Sequence, residues 1–238
     1  NLSQIPLDGN WDTISNGWFK YSFSLADSNA SITAIAASKN NSPYRVYFGT
    51  DNRKIYKMDS ADTGDPAPVE ITATTMPSGG YVSGIAVDPR NADKVIAVFS
   101  NYSVYSIFYS ENAGTTWKKV AGNLEQSSSG TGNGPSCRYA SILPVGNGTV
   151  FLVSTSTGLY ATDSLNTTVD STRWIQQGAS TIGNVVTVMT DVRESDGFTV
   201  VATHGNGVFT THYSWTWEIT GVKKLSPDNY REGFRIFP

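Results

Sequence analysis

Cysteine is almost absent from this 238-residue chain. Cys137 stands alone, so no internal disulfide can form. That disfavours a disulfide-rich eukaryotic ectodomain and suits a cytosolic protein or a bacterial secreted one. An excess of one charge is missing too. Seventeen Lys and Arg against twenty Asp and Glu leave a net charge of −3, with no basic run. Nucleic acid, which is held by clustered cations, is therefore not an expected partner. Long apolar stretches are lacking: none approaches the ~18–20 residues of a membrane-spanning helix. His204 and His212 are the only histidines, and with one cysteine they give no metal-ligand spacing. Gly130 to Gly134 is glycine-rich but has no following Lys-Ser/Thr, so it is no phosphate loop and reads as a linker. No metal and no cofactor is expected.

What the chain has is a long repeat. An aliphatic–aromatic pair recurs at Ile55-Tyr56, Ile107-Phe108, Leu159-Tyr160 and Val208-Phe209, in steps of 52, 52 and 49 residues. A β-branched run precedes each pair by about one hairpin. A period of this length marks one supersecondary unit copied along the chain. The second unit shows its content. Tyr81–Val87 alternates and stops at the turn Asp88-Pro89-Arg90-Asn91; Lys94–Phe99, Ser103–Tyr109 and Trp117–Val120 follow. The first unit reads as Ile32–Ala37, Arg45–Gly49, Lys54–Met58 and Val69–Thr72. The third reads as Arg138–Pro144, Thr149–Ser154, Gly158–Thr162 and Trp174–Gln177. The fourth reads as Asn184–Asp191, Phe198–Thr203, Gly207–Thr211 and Trp217–Thr220. Four short antiparallel strands per 40 to 50 residues, without helical periodicity, predict an all-β fold, a β-propeller with about four four-stranded blades.

The expected organisation follows. Residues 1–23 carry an outer strand, Trp11–Ile14, of a preceding or closing blade. Residues 24–221 hold four blades, at about 24–77, 78–125, 134–180 and 181–221. Residues 222–238 form a linker. Because Trp11–Ile14 is an outer strand without inner strands of its own, the chain is expected to be the C-terminal part of a larger propeller, whose remainder, or a partner chain, completes the ring.

Ser110-Glu111-Asn112-Ala113-Gly114-Thr115-Thr116-Trp117 resembles the Asp-box, or BNR repeat, Ser-x-Asp-x-Gly-x-Thr-Trp, with Asn112 in place of Asp. Ser110, Asn112, Gly114, Thr116 and Trp117 are its structural residues. Asn112 can cap turn amides, Gly114 can take a conformation that side chains resist, and Trp117 can pack between sheets. The resemblance implies a scaffold role on the propeller rim. The segment Gly84–Val95, with Asp88-Pro89 at its centre, resembles xyloglucanase-type and sortilin-type propellers. Ala202–Phe209 resembles a hairpin of secreted BNR-like proteins, with His204 in its turn.

Chemistry is harder to find. Glycoside hydrolysis uses two carboxylates across the scissile bond. Asp51, Asp88, Asp191 and Asp196 qualify by type, but nothing in the sequence singles them out. No arginine triad of the sialidase kind stands out. Phe234-Arg235-Ile236-Phe237 resembles the Phe-Arg-Ile-Pro element of sialidases but lies at the wrong end of the chain and is set aside. Trp18, Tyr102, Tyr105 and Trp215 lie in or near expected loops and are candidate glycan contacts, so a polysaccharide is a possible ligand class.

The tail and surface suggest an address. Val222 to Pro238, with Leu225-Ser226-Pro227-Asp228-Asn229-Tyr230 inside it, resembles the junction that opens a type IX secretion sorting domain in Bacteroidetes. The resemblance implies handling by the type IX secretion machinery and a secreted or cell-surface location. Asp-Ser/Thr pairs similar to Bacteroidetes O-glycosylation sites place candidate acceptors at Thr13, Ser60, Ser164 and Ser171. The function expected from all this is a non-catalytic binding or structural module. The alternatives are part of a glycoside hydrolase similar to xyloglucanases, its catalytic residues partly elsewhere, and a subunit of an extracellular assembly.

Overall fold

The computed structural model describes residues 21–25, 29–39, 43–214 and 235–237. Four antiparallel sheets of four strands follow one another along the chain. The first holds β1 (Ile32–Ala37), β2 (Val46–Thr50), β3 (Ile55–Met58) and β4 (Val69–Glu70). The second holds β5 (Val82–Asp88), β6 (Asn91–Phe99), β7 (Ile107–Ser110) and β8 (Lys118–Lys119). The third holds β9 (Cys137–Val145), β10 (Gly148–Thr155), β11 (Gly158–Thr162) and β12 (Ile175–Gln177). The fourth holds β13 (Thr187–Arg193), β14 (Phe198–Thr203), β15 (Val208–His212) and β16 (Arg235–Phe237). Each sheet is ordered as its strands occur in the chain. Innermost strands neighbour one another in series: β1 lies by β5, β5 by β9, and β9 by β13. This is a β-propeller, and each sheet is a blade.

One defect aligns the blades. Every inner strand carries a register shift near its start, which skips Thr33, Ser83, Arg138 and Val188. Counting from it, Ile35, Ile85, Ala140 and Thr190 are equivalent, and so are Ala36, Ala86, Ser141 and Asp191. Side chains alternate across a pleated strand. The first set therefore lies on the trailing face, toward the preceding blade, and the second on the leading face, toward the following one. The core follows this division. One buried cluster joins Tyr47 and Ile55 of blade 1 to Val82, Ile85 and Phe108 of blade 2, and Ile96 and Ile107 of blade 2 to Ala140 and Val153 of blade 3. A second joins Leu152 and Leu159 of blade 3 to Val201 and Phe209 of blade 4. Hydrophobic area is thus buried between sheets, as the near-continuous apolar run of β6 requires.

Most strands lie where the sequence places them. The main correction is at the end of the chain. Residues 222–238 were expected to be a linker, but Arg235–Phe237 pairs with β15, Val208 opposite Phe237 and Thr210 opposite Arg235. An unpaired outer edge of β15 exposes backbone groups, and a distant segment satisfies them as well as a local one does. Ser103–Ser106, expected to open the third strand of blade 2, is loop instead, with Ser103 at φ 61. Trp11–Ile14 and Trp217–Thr220 lie outside the described residues.

Candidate functional site

Ser110, Asn112, Gly114, Thr116 and Trp117 lie on one turn between β7 and β8. Ser110 Oγ accepts the amides of Asn112 at 3.2 Å and Gly114 at 2.8 Å, and donates to Asn112 Oδ1 at 3.0 Å. Asn112 Oδ1 also accepts the Thr116 amide at 2.9 Å, while its Nδ2 donates to Thr116 Oγ1 at 2.9 Å. An aspartate could make the first of these two bonds but not the second. Gly114 sits at φ 80, and a Cβ there would lie 2.4 Å from Ile71 Cδ1 of blade 1. Glycine is demanded twice, by conformation and by contact. Trp117 then reaches back across the gap: its indole N–H donates to the Ile71 carbonyl at 2.8 Å. The turn is a latch from blade 2 to the outer edge of blade 1.

Blade 3 repeats the latch. The Trp174 indole N–H donates to the Val120 carbonyl at 3.0 Å, and Val120, like Ile71, follows directly on an outer strand. Asn123 doubles it, accepting the Trp174 amide at 2.6 Å and donating to its carbonyl at 3.0 Å. The loop that carries Trp174 also brings Asp170 over blade 2. Tyr105 donates its hydroxyl proton to Asp170 and accepts the Ala121 amide at 2.8 Å. Burial first, and the Asp170 carboxylate second, raise the Tyr105 pKa well above the usual tyrosine range. Tyr105 is buried, so the structure corrects its assignment as a glycan contact. Its aromatic face is used inside the blade, edge-on to Phe108 at 5.3 Å, with Lys119 over the ring at 4.5 Å. Glu125, close by, accepts the Ser106 amide at 2.9 Å, and burial raises its pKa.

A third clamp binds blades 1 and 2. Arg45 is buried and ion-paired with Asp59 on its own blade and Asp93 on the next. Tyr47 donates to the Ala92 carbonyl at 2.7 Å. Burial alone would lower the arginine pKa; the two carboxylates more than offset this, so the guanidinium stays charged. Burial pushes the Tyr47 phenol up to about 12.

Of the four aspartates considered for acid–base work, Asp51, Asp88 and Asp196 cap turns, while Asp191 lies within β13 and bonds the next residue of that strand. Asp88 accepts the Arg90 amide at 2.8 Å and Asp51 the Ser31 amide at 3.0 Å. Asp191 accepts the Val192 amide at 2.9 Å, and Asp196 holds both Arg193 and the Phe198 amide. His204 is exposed at a hairpin tip. Among the described residues no group of His, Cys, Asp and Glu could hold a metal. A cleft of about 250 Å³ lies on the rim between Glu70, Thr72, Gly114 and Trp117.

Tyr102 is 64% exposed on the β6–β7 loop, open to a ligand. Ser60, Ser164 and Ser171 are all exposed, Ser60 at φ 58 and Ser171 accepting a bond from Asn166 Nδ2 at 2.8 Å. Thr13, Trp18 and Trp215 lie outside the described residues. Two faces are open, lined by residues that the sequence did not single out. On blade 1, Ile32 is 53% and Ile35 69% exposed, whereas all their equivalents in the other blades are at 2% or less. On blade 4, Met189 is 47% and Val208 39% exposed, where Ile55, Ile107 and Leu159, the equivalents of Val208, are sealed. Among the described residues, β13 makes no contact with β1 comparable to those between successive inner strands.

No protein-family model and no curated protein matches the chain. Solved structures do. A chain of the COPII outer coat vertex on membranes matches with a TM-score of 0.57 at 11% identity, over 76% of this chain and 46% of that one. A chain of the COPII coat assembled on membranes matches with the same score and identity, over 76% of this chain and 26% of that one. The chain therefore spans less than half the length of either. At this identity the likeness is one of fold, the β-propeller, and no more. No helix among the described residues is long and apolar enough to cross a membrane.

Proposed function

We propose that the chain is a non-catalytic binding and structural β-propeller module of a secreted or cell-surface protein, with glycans as the ligand class its exposed aromatics suit. The observation that supports this reading is where the carboxylates spend their bonds. Asp51, Asp88 and Asp196 each accept backbone amides at turns, Asp93 and Asp170 tie one blade to the next, and Asp59 holds the buried Arg45 in place. A glycosidase needs two carboxyl groups free to face a substrate. Tyr102, by contrast, stands 64% exposed and offers a ring face to a sugar.

Two assays separate the alternatives. Incubated with a panel of polysaccharides, the chain is expected to release no reducing sugar; release would favour the hydrolase reading. Binding to the same panel by calorimetry is expected to be weakened by Tyr102→Ala. Binding that ignores the substitution would move the contact elsewhere.

The assembly reading has its own support in the open faces of blades 1 and 4, and it is compatible with binding. Export through the type IX route rests on residues 222–238, with candidate glycan acceptors at Thr13 and at Ser60, Ser164 and Ser171 in agreement. Intact-mass and peptide mass spectrometry of the protein from its native host would find hexose-bearing peptides at these serines if the proposal holds.

A further inference from the structure

The repeat measures what its two end blades lack. Across each internal interface a leading-face residue of one inner strand stands against a trailing-face residue of the next. Ser141 with Thr190 is one such pair, and by the shared register its counterparts are Ala36 with Ile85 and Ala86 with Ala140. The two counterparts belong to the same packed apolar cluster. The pair of Ser141 with Thr190 is polar and satisfied: Ser141 Oγ donates to the Thr190 carbonyl at 2.9 Å and lies 2.7 Å from its Oγ1. Apolar residues are matched to apolar, and hydroxyl to hydroxyl. The series then ends on Asp191, whose place on the leading face of blade 4 is exposed. At its other end, the series begins with Ile35 on the trailing face of blade 1.

These two ends do not match each other. Setting blade 1 against blade 4, within one chain or between two copies, would bury the Asp191 carboxylate against the Ile35 side chain. Ile35 has no donor, and a charged carboxylate buried with only the Val192 amide for a partner is strongly disfavoured. The rest of the blade 4 face is apolar and half open, with Met189, Val200, Ala202 and Val208 around the carboxylate. A surface of that kind, continuing three interfaces of identical construction, fits a fourth of the same construction.

We propose that the leading face of blade 4 docks a further propeller blade, one not supplied by a second copy of this chain, whose inner strand presents a hydroxyl or cationic donor opposite Asp191. Asp191 is the residue that sets this choice: it admits a donor and turns away the isoleucine of blade 1. The inference rests on the reading of the chain as a structural module and names the kind of partner that module takes.

The test exchanges the mismatch for a match in the chain itself. Ile35→Lys gives blade 1 the donor that Asp191 calls for; because Ile35 is 69% exposed, the fold should tolerate it, which circular dichroism checks. By light scattering across the micromolar range, the unaltered chain is expected to be a monomer and Ile35→Lys a head-to-tail dimer. Adding Asp191→Ala to Ile35→Lys is expected to restore the monomer. A dimer of the unaltered chain would overturn the proposal, since a second copy would then be the occupant. So would an Ile35→Lys chain that stays monomeric, or one whose dimer survives Asp191→Ala. None of these outcomes bears on glycan binding or sugar release, so the functional reading stands or falls separately.

Discussion

Blade 2 and blade 1 are built from the same pattern and live in different surroundings. Ile85 and Ile35 occupy the same position after the same bulge; Ile85 is sealed between two sheets and Ile35 lies in the open. Blade 2 is latched on both sides, by Trp117 and Arg45 toward blade 1 and by Trp174 and Tyr105 toward blade 3. Blade 1 has latches on its leading side. On its trailing side Phe23 stacks on Phe48 of β2 at 6.0 Å, while Ile32 and Ile35 of the inner strand stay exposed. A blade is thus stable in proportion to its neighbours, and identical residues carry different energies according to whether a neighbour is present.

The largest expected contrast is between those two isoleucines. Ile85→Ala should cost about 2–5 kcal/mol, as a buried aliphatic truncation. Ile35→Ala should change stability by no more than about 0.5 kcal/mol, as a surface substitution. Urea unfolding of the two variants measures both; equal losses would break the comparison.

The latches come next. Trp174→Phe leaves the carbonyl of the buried Val120 without its indole donor, a loss of about 1–3 kcal/mol by the cost of an unsatisfied buried group. Trp117→Phe, on a half-exposed side chain, should cost less, about 0.5–1.5 kcal/mol, the net worth of an ordinary hydrogen bond. The order of the two midpoints checks which latch is better sealed.

The clamps differ in their response to pH. Tyr47 has a folded-state pKa raised from 10.0 to about 12, so the folded state favours its neutral form. Its contribution is complete below pH 10 and is lost as pH rises toward 12. Tyr47→Phe should flatten that alkaline slope. Glu125 is also raised, so its contribution is complete below the ordinary glutamate range and is lost as pH rises through its folded value. Glu125→Gln should flatten the acid side of the profile in unfolding measured between pH 4 and 7.

The smallest effect is expected at the turn from Ser110 to Trp117. Asn112→Asp keeps the bond from the Thr116 amide and loses the donation to Thr116 Oγ1. On an exposed turn this should cost within about 0.5 kcal/mol, read as a small shift of the thermal midpoint.

How much of this could be read from residues alone depends on how far each interaction reaches. Strands of blades 1 to 3 were legible because alternation and turns are local. The turn after β7 was legible because the bonds among Ser110, Asn112, Gly114 and Thr116 close within seven residues; the bond from Trp117 to Ile71, 46 residues away, was not. Tyr105 was misread because its loop position said nothing about Asp170, 65 residues on, which takes its proton. Arg45 looked like any strand residue, since Asp93 lies 48 residues away. The outer strand of blade 4 was missed for the same reason: Arg235–Phe237 is a three-residue segment whose partner, β15, ends 23 residues earlier. The residues that line the open faces carry no signal of their own, although an incomplete ring was expected from Trp11–Ile14. Ile35 reads like Ile85, and only the presence or absence of a neighbouring sheet distinguishes them.

The most direct test of the open arc uses the lone thiol as an internal reference. Cys137 occupies the same place on β9 that Ile32 occupies on β1. It is fully buried, and burial pushes its pKa up to about 12, so it should resist a thiol reagent at pH 8 until the protein unfolds. The variant Ile32→Cys adds a second thiol at the equivalent position of blade 1. An open trailing face predicts biphasic labelling in the native protein: one thiol reacting at nearly the rate of a free cysteine and one protected. Two thiols protected alike would mean that something in this chain covers β1, and would contradict the account.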